Sequence, residues 1–217
     1  MRPITVTVGP LASASATNIR TASGVAGAGN LTLNGSLVTA GVAILDAARR
    51  VLFTTTANET TKTILLAGTN WAGDLISETV TLVNASTVAS VLDYKTVTSA
   101  YCSAALTGNL SIGTNGVAAS PWVRLDDYAP HGVAIQCTVS GTVNYTVQQT
   151  LDDPNVPGAT MTPATMTWVS SSDINVVGAT TTQQTNYNFT PVFARVLLNS
   201  GTGTVTSTFL QASAVPK

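Results

Sequence analysis

The sequence predicts an all-β protein built as two antiparallel β-sandwich or jelly-roll-like domains. Three observations lead there. About a sixth of the 217 residues are threonine, and valine is also abundant; branching at Cβ suits the pleated, half-buried surface of a strand. Apolar residues recur at period two, as Ile4, Val6 and Val8 do against Thr5 and Thr7, so that a segment buries one face and wets the other. Many short apolar runs are separated by Gly-, Asn- and Ser-containing turns, a layout of sandwiches rather than of parallel enzyme sheets.

Taken in order, Ile4–Val8 is the first expected strand, and Gly9–Pro10 ends it. Residues 11–30 are small and polar and read as an extended arm or loop. Asn34–Gly35 is the strongest local signal for a tight hairpin turn. Ala43–Arg50 has the composition of a short helical turn, after which Val51–Thr54 returns to strand character. A meander follows, with strands expected over residues 63–66, 75–83 and 88–97. Residues 108–120, rich in Gly, Asn, Ser and Ala, read as a domain junction. This divides the chain into an N-terminal β domain with an extended arm, residues 1–110, and a C-terminal β-sandwich, residues 111–217. In the second half, residues 133–139 and 142–147 form an expected hairpin about Ser140–Gly141. Three prolines mark residues 152–163 as a turn-rich connection. A strand resumes over 165–169, residues 170–190 read as a long polar loop, and 192–198 pairs with 204–210 about a Gly-rich turn.

Composition narrows the function classes. Nine basic and ten acidic residues give a net charge of −1, with no basic stripe to attract nucleic acid. So small a charge leaves little repulsion between copies, which suits a homo-oligomer or docking onto a large partner. No apolar run is long enough for a transmembrane helix, and the first residues lack a secretory pattern. Cys102 and Cys137 both fall in apolar strand-like sequence and read as buried free thiols.

No catalytic, metal or cofactor site is assigned. Asp126–Asp127 and Asp152–Asp153 are the densest acidic pairs, but neither has the regular oxygen donors of a calcium loop, and both read as turn or interface acids. His131, the single histidine, sits between Pro130 and Gly132 as a loop residue. No nucleophile elbow or phosphate-binding loop is present. Two sets of residues are candidates for assembly instead. Ile4, Val6 and Val8 are candidate assembly contacts through strand addition to a neighbour, with pairing in the chain's own sheet as the alternative. Trp71, Trp122 and Trp168 are candidate interface or core aromatics, with a glycan platform as the alternative.

The order of several short motifs carries a resemblance. Ala48–Arg49–Arg50–Val51, Gly68–Thr69, Glu78–Thr79–Val80–Thr81 and Lys95–Thr96–Val97–Thr98–Ser99 occur within residues 48–100. Gly113–Val117, Ser120–Val123, Gly141–Val147 and Gly201–Thr206 follow. In this order they resemble a β module of tailed-bacteriophage virion proteins, over most of the chain after about residue 40. The resemblance implies a structural component of a phage particle, made in the host cytoplasm and resident in the virion. Together with the composition it leads to a non-enzymatic protein that decorates or cements the capsid through repeated contacts. Its partners would be other copies and capsid, portal or tail proteins. A head–tail or tail component, with a receptor- or glycan-binding role, is the alternative.

Overall fold

The computed structural model describes residues 3–126 and 132–211. Among these the chain is almost entirely strand and turn, and its helical element is a 3-10 turn at Ile174–Val176. Among the described residues no helix is long and apolar enough to cross a membrane. Among the same residues, the pairings within the two sheets of the sandwich and those of Tyr94–Cys102 with Val42–Thr55 and Thr63–Thr69, and of Thr63–Thr69 with Leu75–Thr81, are antiparallel.

The chain forms two compact units: Ala12–Gly116, and Met1–Leu11 together with Val117–Lys217. The first is an insertion within the second. This differs from the expected division after residue 110, for two reasons. The first strand, β1 (Ile4–Val8), is not a free arm but pairs with the last, β18 (Thr204–Gln211), from Ile4↔Phe209 to Val8↔Val205. The expected junction is itself a ten-residue strand, β10 (Leu110–Ala119), most of it buried. Its small residues serve close packing: a Cβ on Gly113 would lie 1.8 Å from the Ser15 carbonyl oxygen.

Within Ala12–Gly116, β2 (Ser15–Ser23) pairs with the start of β10. Residues 15–23 are therefore strand where a loop is expected. Next to β10 lies β5 (Val42–Thr55), then β9 (Tyr94–Cys102), β6 (Thr63–Thr69) and β7 (Leu75–Thr81). Three short strands complete the set: β3 (Gly29–Asn30) on β9, and β4 (Val38–Thr39) and β8 (Thr87–Ala89) on β5. Ile19, Leu45, Val51, Phe53, Ile64, Leu66, Val97, Leu110 and Ile112 make its dry interior.

Two local expectations fail here for physical reasons. The helix formers of Ala43–Arg50 lie inside β5 because Ala43 and Leu45 find a sheet face to fill, and burial outweighs propensity. The register of β5 on β9 shifts between Ile44 and Arg49, which is a bulge. Within it Asp46 meets Arg49 at 3.0 Å. Asn34–Gly35 is no hairpin turn. Both backbone N–H groups donate to the Ile19 carbonyl, and the glycine is required because a Cβ would lie 2.2 Å from the Asn18 backbone. The tight hairpin is at Ala40–Gly41, both with positive φ, between β4 and β5.

Glu59 ties two loops of this unit together. Its side chain is fully buried and pairs with Lys62. Oε1 accepts the backbone N–H of Thr107 at 2.7 Å and of Gly108 at 2.8 Å. Burial pushes its carboxyl up, but Lys62 and the two N–H donors outweigh that and hold it below its ordinary value.

The other unit is a sandwich. One sheet runs β1, β18, β12 (Val133–Ser140), β16 (Gln183–Tyr187). The other is centred on β13 (Val143–Thr150) paired with β17 (Phe193–Gly201). β14 (Val169–Ser170) and β15 (Val177–Ala179) lie on β13, and β11 (Val123–Arg124) and the end of β10 lie on β17. Ile135, Cys137, Tyr145, Val147, Val196, Leu198, Val205 and Phe209 fill the interior. Cys102 and Cys137 are free and buried, as expected.

The two hairpins expected in this unit are instead arches. β12 pairs with β18 and β13 with β17, so residues 141–142 and 202–203 each carry the chain from one sheet to the other. The arches touch. The Gly203 N–H donates to the Thr142 carbonyl at 2.9 Å. A Cβ on Gly201, whose φ is +114°, would sit 2.3 Å from that same oxygen, and one on Gly203 would sit 2.4 Å from the Ser140 oxygen. The polar stretch 183–187 pairs with β12 where a loop is expected, and Thr185 and Tyr187 point inward from it.

Two outcomes are expected. Gly201→Ala combines a disfavoured backbone angle with a backbone clash and lowers stability by about 2–3 kcal/mol. Gly116→Ala, where a Cβ meets nothing within 4 Å, changes it by less than about 0.5 kcal/mol; denaturant midpoints measure both. For Glu59 the carboxyl is depressed in the folded state, so its contribution is complete above the unfolded carboxyl value and is lost as pH falls through the lower folded value. Glu59→Gln removes that acid-side slope from the melting temperature plotted against pH; an unchanged slope overturns the assignment.

Candidate functional site

The sandwich unit gathers aromatic rings and guanidinium groups from β11, β17 and the residues that lead into β11 and β14. Trp122 precedes β11, and Trp168 immediately precedes β14. Their ring centroids are 5.3 Å apart and tilted by 52°. Phe193, at the start of β17, lies 6.0 Å from Trp122. Arg195, two residues further and on the same face of β17, stacks its guanidinium 4.2 Å from the Trp168 centroid. Its Nε donates to Gln148 Oε1 at 2.9 Å, across the β13–β17 register. Arg124 faces Phe193 across the β11–β17 pair, 5.4 Å from the ring.

Loop carboxylates hold this arrangement from the side. Arg124 Nη2 pairs with Asp153 Oδ2 at 2.6 Å. Hydrogen bonding to Arg124 holds the Asp153 carboxyl below its usual value, with the Asn155 N–H adding to it. Asp152 Oδ2 accepts the Thr167 N–H at 2.6 Å, which fixes the chain one residue before Trp168. The Asp152–Asp153 pair thus acts as turn and anchoring acids, each with its own protein donor. Among the described residues no group of three or more His, Cys, Asp and Glu side chains is placed to hold a metal.

Trp122 and Trp168 are half-buried and Arg124 is exposed. Half-open indoles beside guanidinium donors offer a flat apolar face and hydrogen bonds together, the features that seat a sugar ring or a protein side chain. Of the three tryptophans singled out in the sequence, the structure brings these two together. Trp71 sits on the turn between β6 and β7, where Asn70 Oδ1 accepts the N–H groups of Ala72 and Asp74. Ile4 and Val6 are half-buried and Val8 is buried, opposite residues 205–209 of the same chain. Asp127 and His131 lie outside the described residues.

Phe193, Arg124, Arg195 and Gln148 were not legible as members of the cluster. The alternation Phe193–Ala194–Arg195 signals one shared face, but nothing local signals that residues 122 and 168 meet it. That convergence needs the registers of β11 and β14.

Arg195→Ala uncovers one face of Trp168 and leaves the half-buried Gln148 oxygen without its Arg195 donor. It is expected to lower stability by about 1–3 kcal/mol and to shift tryptophan emission. Arg124→Ala, which breaks a pair whose arginine is 53% exposed, costs less than about 1 kcal/mol. Equal effects in urea unfolding followed by fluorescence would contradict this ranking.

Comparison of the chain with protein-family models, curated proteins and solved structures returned no match.

Proposed function

We propose that this chain is a non-enzymatic structural protein of a tailed-phage particle, which decorates or stabilises the capsid through repeated protein contacts. The observation that supports it most directly is where the motifs of the resemblance fall. Gly141–Val147 and Gly201–Thr206 cover the two touching arches and the strands that leave them, and Ser120–Val123 leads into β11 beside Trp122. These are parts on which the sandwich depends, which supports a structural role for the motifs that carry the resemblance.

The physical character of the chain suits the role. Each β unit is braced within itself by strand pairing, and a net charge of −1 allows copies to approach one another. Each contact with a lattice is weak, but attachment at one raises the effective concentration at the next. Mixing the purified protein with phage heads lacking it is expected to place copies regularly over the shell, seen by electron microscopy, and to raise the temperature at which heads rupture. A protein that stays monomeric and binds neither heads nor tails overturns the proposal.

The second reading, a tail component that binds a receptor glycan, is favoured by the half-open Trp122–Trp168 pair. It predicts copies confined to the distal tail, and loss of host-surface binding in Trp122→Ala.

A further inference from the structure

In the Ala12–Gly116 unit the chain after β2 encloses a solvent-open cavity of about 410 Å³, bounded by Arg20, residues 23–32 and Asn34. Arg20 is the charged residue among those lining it. It is 5% exposed. Among the described residues no carboxylate lies within ion-pair distance of it. Its Nη1 donates to the Leu110 carbonyl and, at 3.3 Å, to the Ser23 carbonyl; Nη2 donates to the Gly24 carbonyl at 3.4 Å.

A guanidinium has five N–H donors. Three of them are used here, which leaves the Nε–H and one Nη2–H without an acceptor among the described residues. The unused Nε–H lies on the Nε–Nη2 edge of the guanidinium plane, the fork that matches two oxygens of a carboxylate or phosphate. A buried cation without a counter-charge is costly, and burial already pushes the Arg20 pKa down. The Ser23 and Thr32 side chains, each with a hydroxyl donor, line the same cavity.

We propose that this cavity is an anion site, which takes a small oxyanion, phosphate or carboxylate, on the Nε–Nη2 edge of Arg20. The anion supplies the charge the fold omits. It is a binding function separate from attachment to a particle, and neither proposal depends on the other.

Titration with inorganic phosphate at constant ionic strength tests it, read by the melting temperature and by the NMR signal of the Arg20 Nε–H. A saturable rise in melting temperature is expected, with movement of that N–H signal, and chloride produces neither. Acetate binding as well points to carboxylates as the source; phosphate alone points to a free phosphate. Arg20→Lys keeps the charge but loses the fork and weakens binding about tenfold or more. Because Arg20 also braces three carbonyls, a second variant tests the site from its rim. A Cβ on Gly27 meets nothing within 4 Å, so Gly27→Glu retains the melting temperature of the phosphate-free protein while its carboxylate opposes the anion and abolishes saturation. A response to phosphate no different from that to chloride, or phosphate binding by Gly27→Glu equal to wild type, overturns the proposal.

Discussion

One guanidinium, that of Arg49, holds both ends of the inserted unit. Its side chain is 1% exposed. Nη1 donates to the Ala12 carbonyl at 2.9 Å and to both oxygens of Asp46 at 3.0 and 3.1 Å, while Nε and Nη2 reach the Asn115 carbonyl. Asp46 in turn accepts the Ala12 N–H at 2.7 Å. Ala12 is the first residue of the unit and Asn115 the last but one. An inserted unit must return the chain close to where it left, and the buried Arg49 guanidinium, paired with the more exposed Asp46, enforces that. Burial pushes the Asp46 carboxyl up, but the Ala12 N–H and Arg49 overcome it and keep it below its ordinary value. The pair meets only because β5 bulges between Ile44 and Arg49, so the irregularity in the sheet is part of the clamp.

The sandwich unit relies on a different device, backbone contact between glycines. Gly9, at the end of β1, would place a Cβ 2.4 Å from the Gly203 oxygen, and Gly141 would place one 3.1 Å from the Gly203 Cα. Three chain segments therefore meet at one point where no side chain fits. Once they meet there, β18 lies between β1 and β12 and the first strand completes a sheet begun by the last. Small residues that read as looseness in the sequence act as sites of close approach, here and at Gly113 and Gly35.

Polar chemistry is concentrated where strands are interrupted. Glu59, Arg20 and Arg49 are buried, and each satisfies backbone groups of loops or bulges rather than another element's side chains alone. The chemistry beside β17 is different in kind: half-buried indoles stack with the buried Arg195 and Phe193, and Arg124 is the exposed member. The buried charges Glu59, Arg20 and Arg49 all lie in the Ala12–Gly116 unit, and the half-open rings lie in the sandwich. That division is the physical basis for reading the chain as a protein that binds other surfaces.

The sequence by itself determined the class. Thr and Val at period two made strands, and Ile4–Val8, Thr63–Leu66, Leu75–Thr81 and Val133–Val139 were legible because each has one apolar face to bury. Period two states which face is buried, but not which strand lies alongside. The same alternation in β12 and β13 serves a hairpin or an arch, and only the packing of one sheet on another chose the arch. Likewise Ala43–Arg50 carried helix-forming residues until β9 supplied a sheet edge, and Gln183–Tyr187 carried no apolar signal beyond Tyr187 until β12 supplied a partner. The meeting of Trp122, Trp168, Phe193 and Arg195 was settled in the same way. Residues distant in the chain become neighbours through register, and register is fixed by long-range backbone pairing that no local pattern encodes.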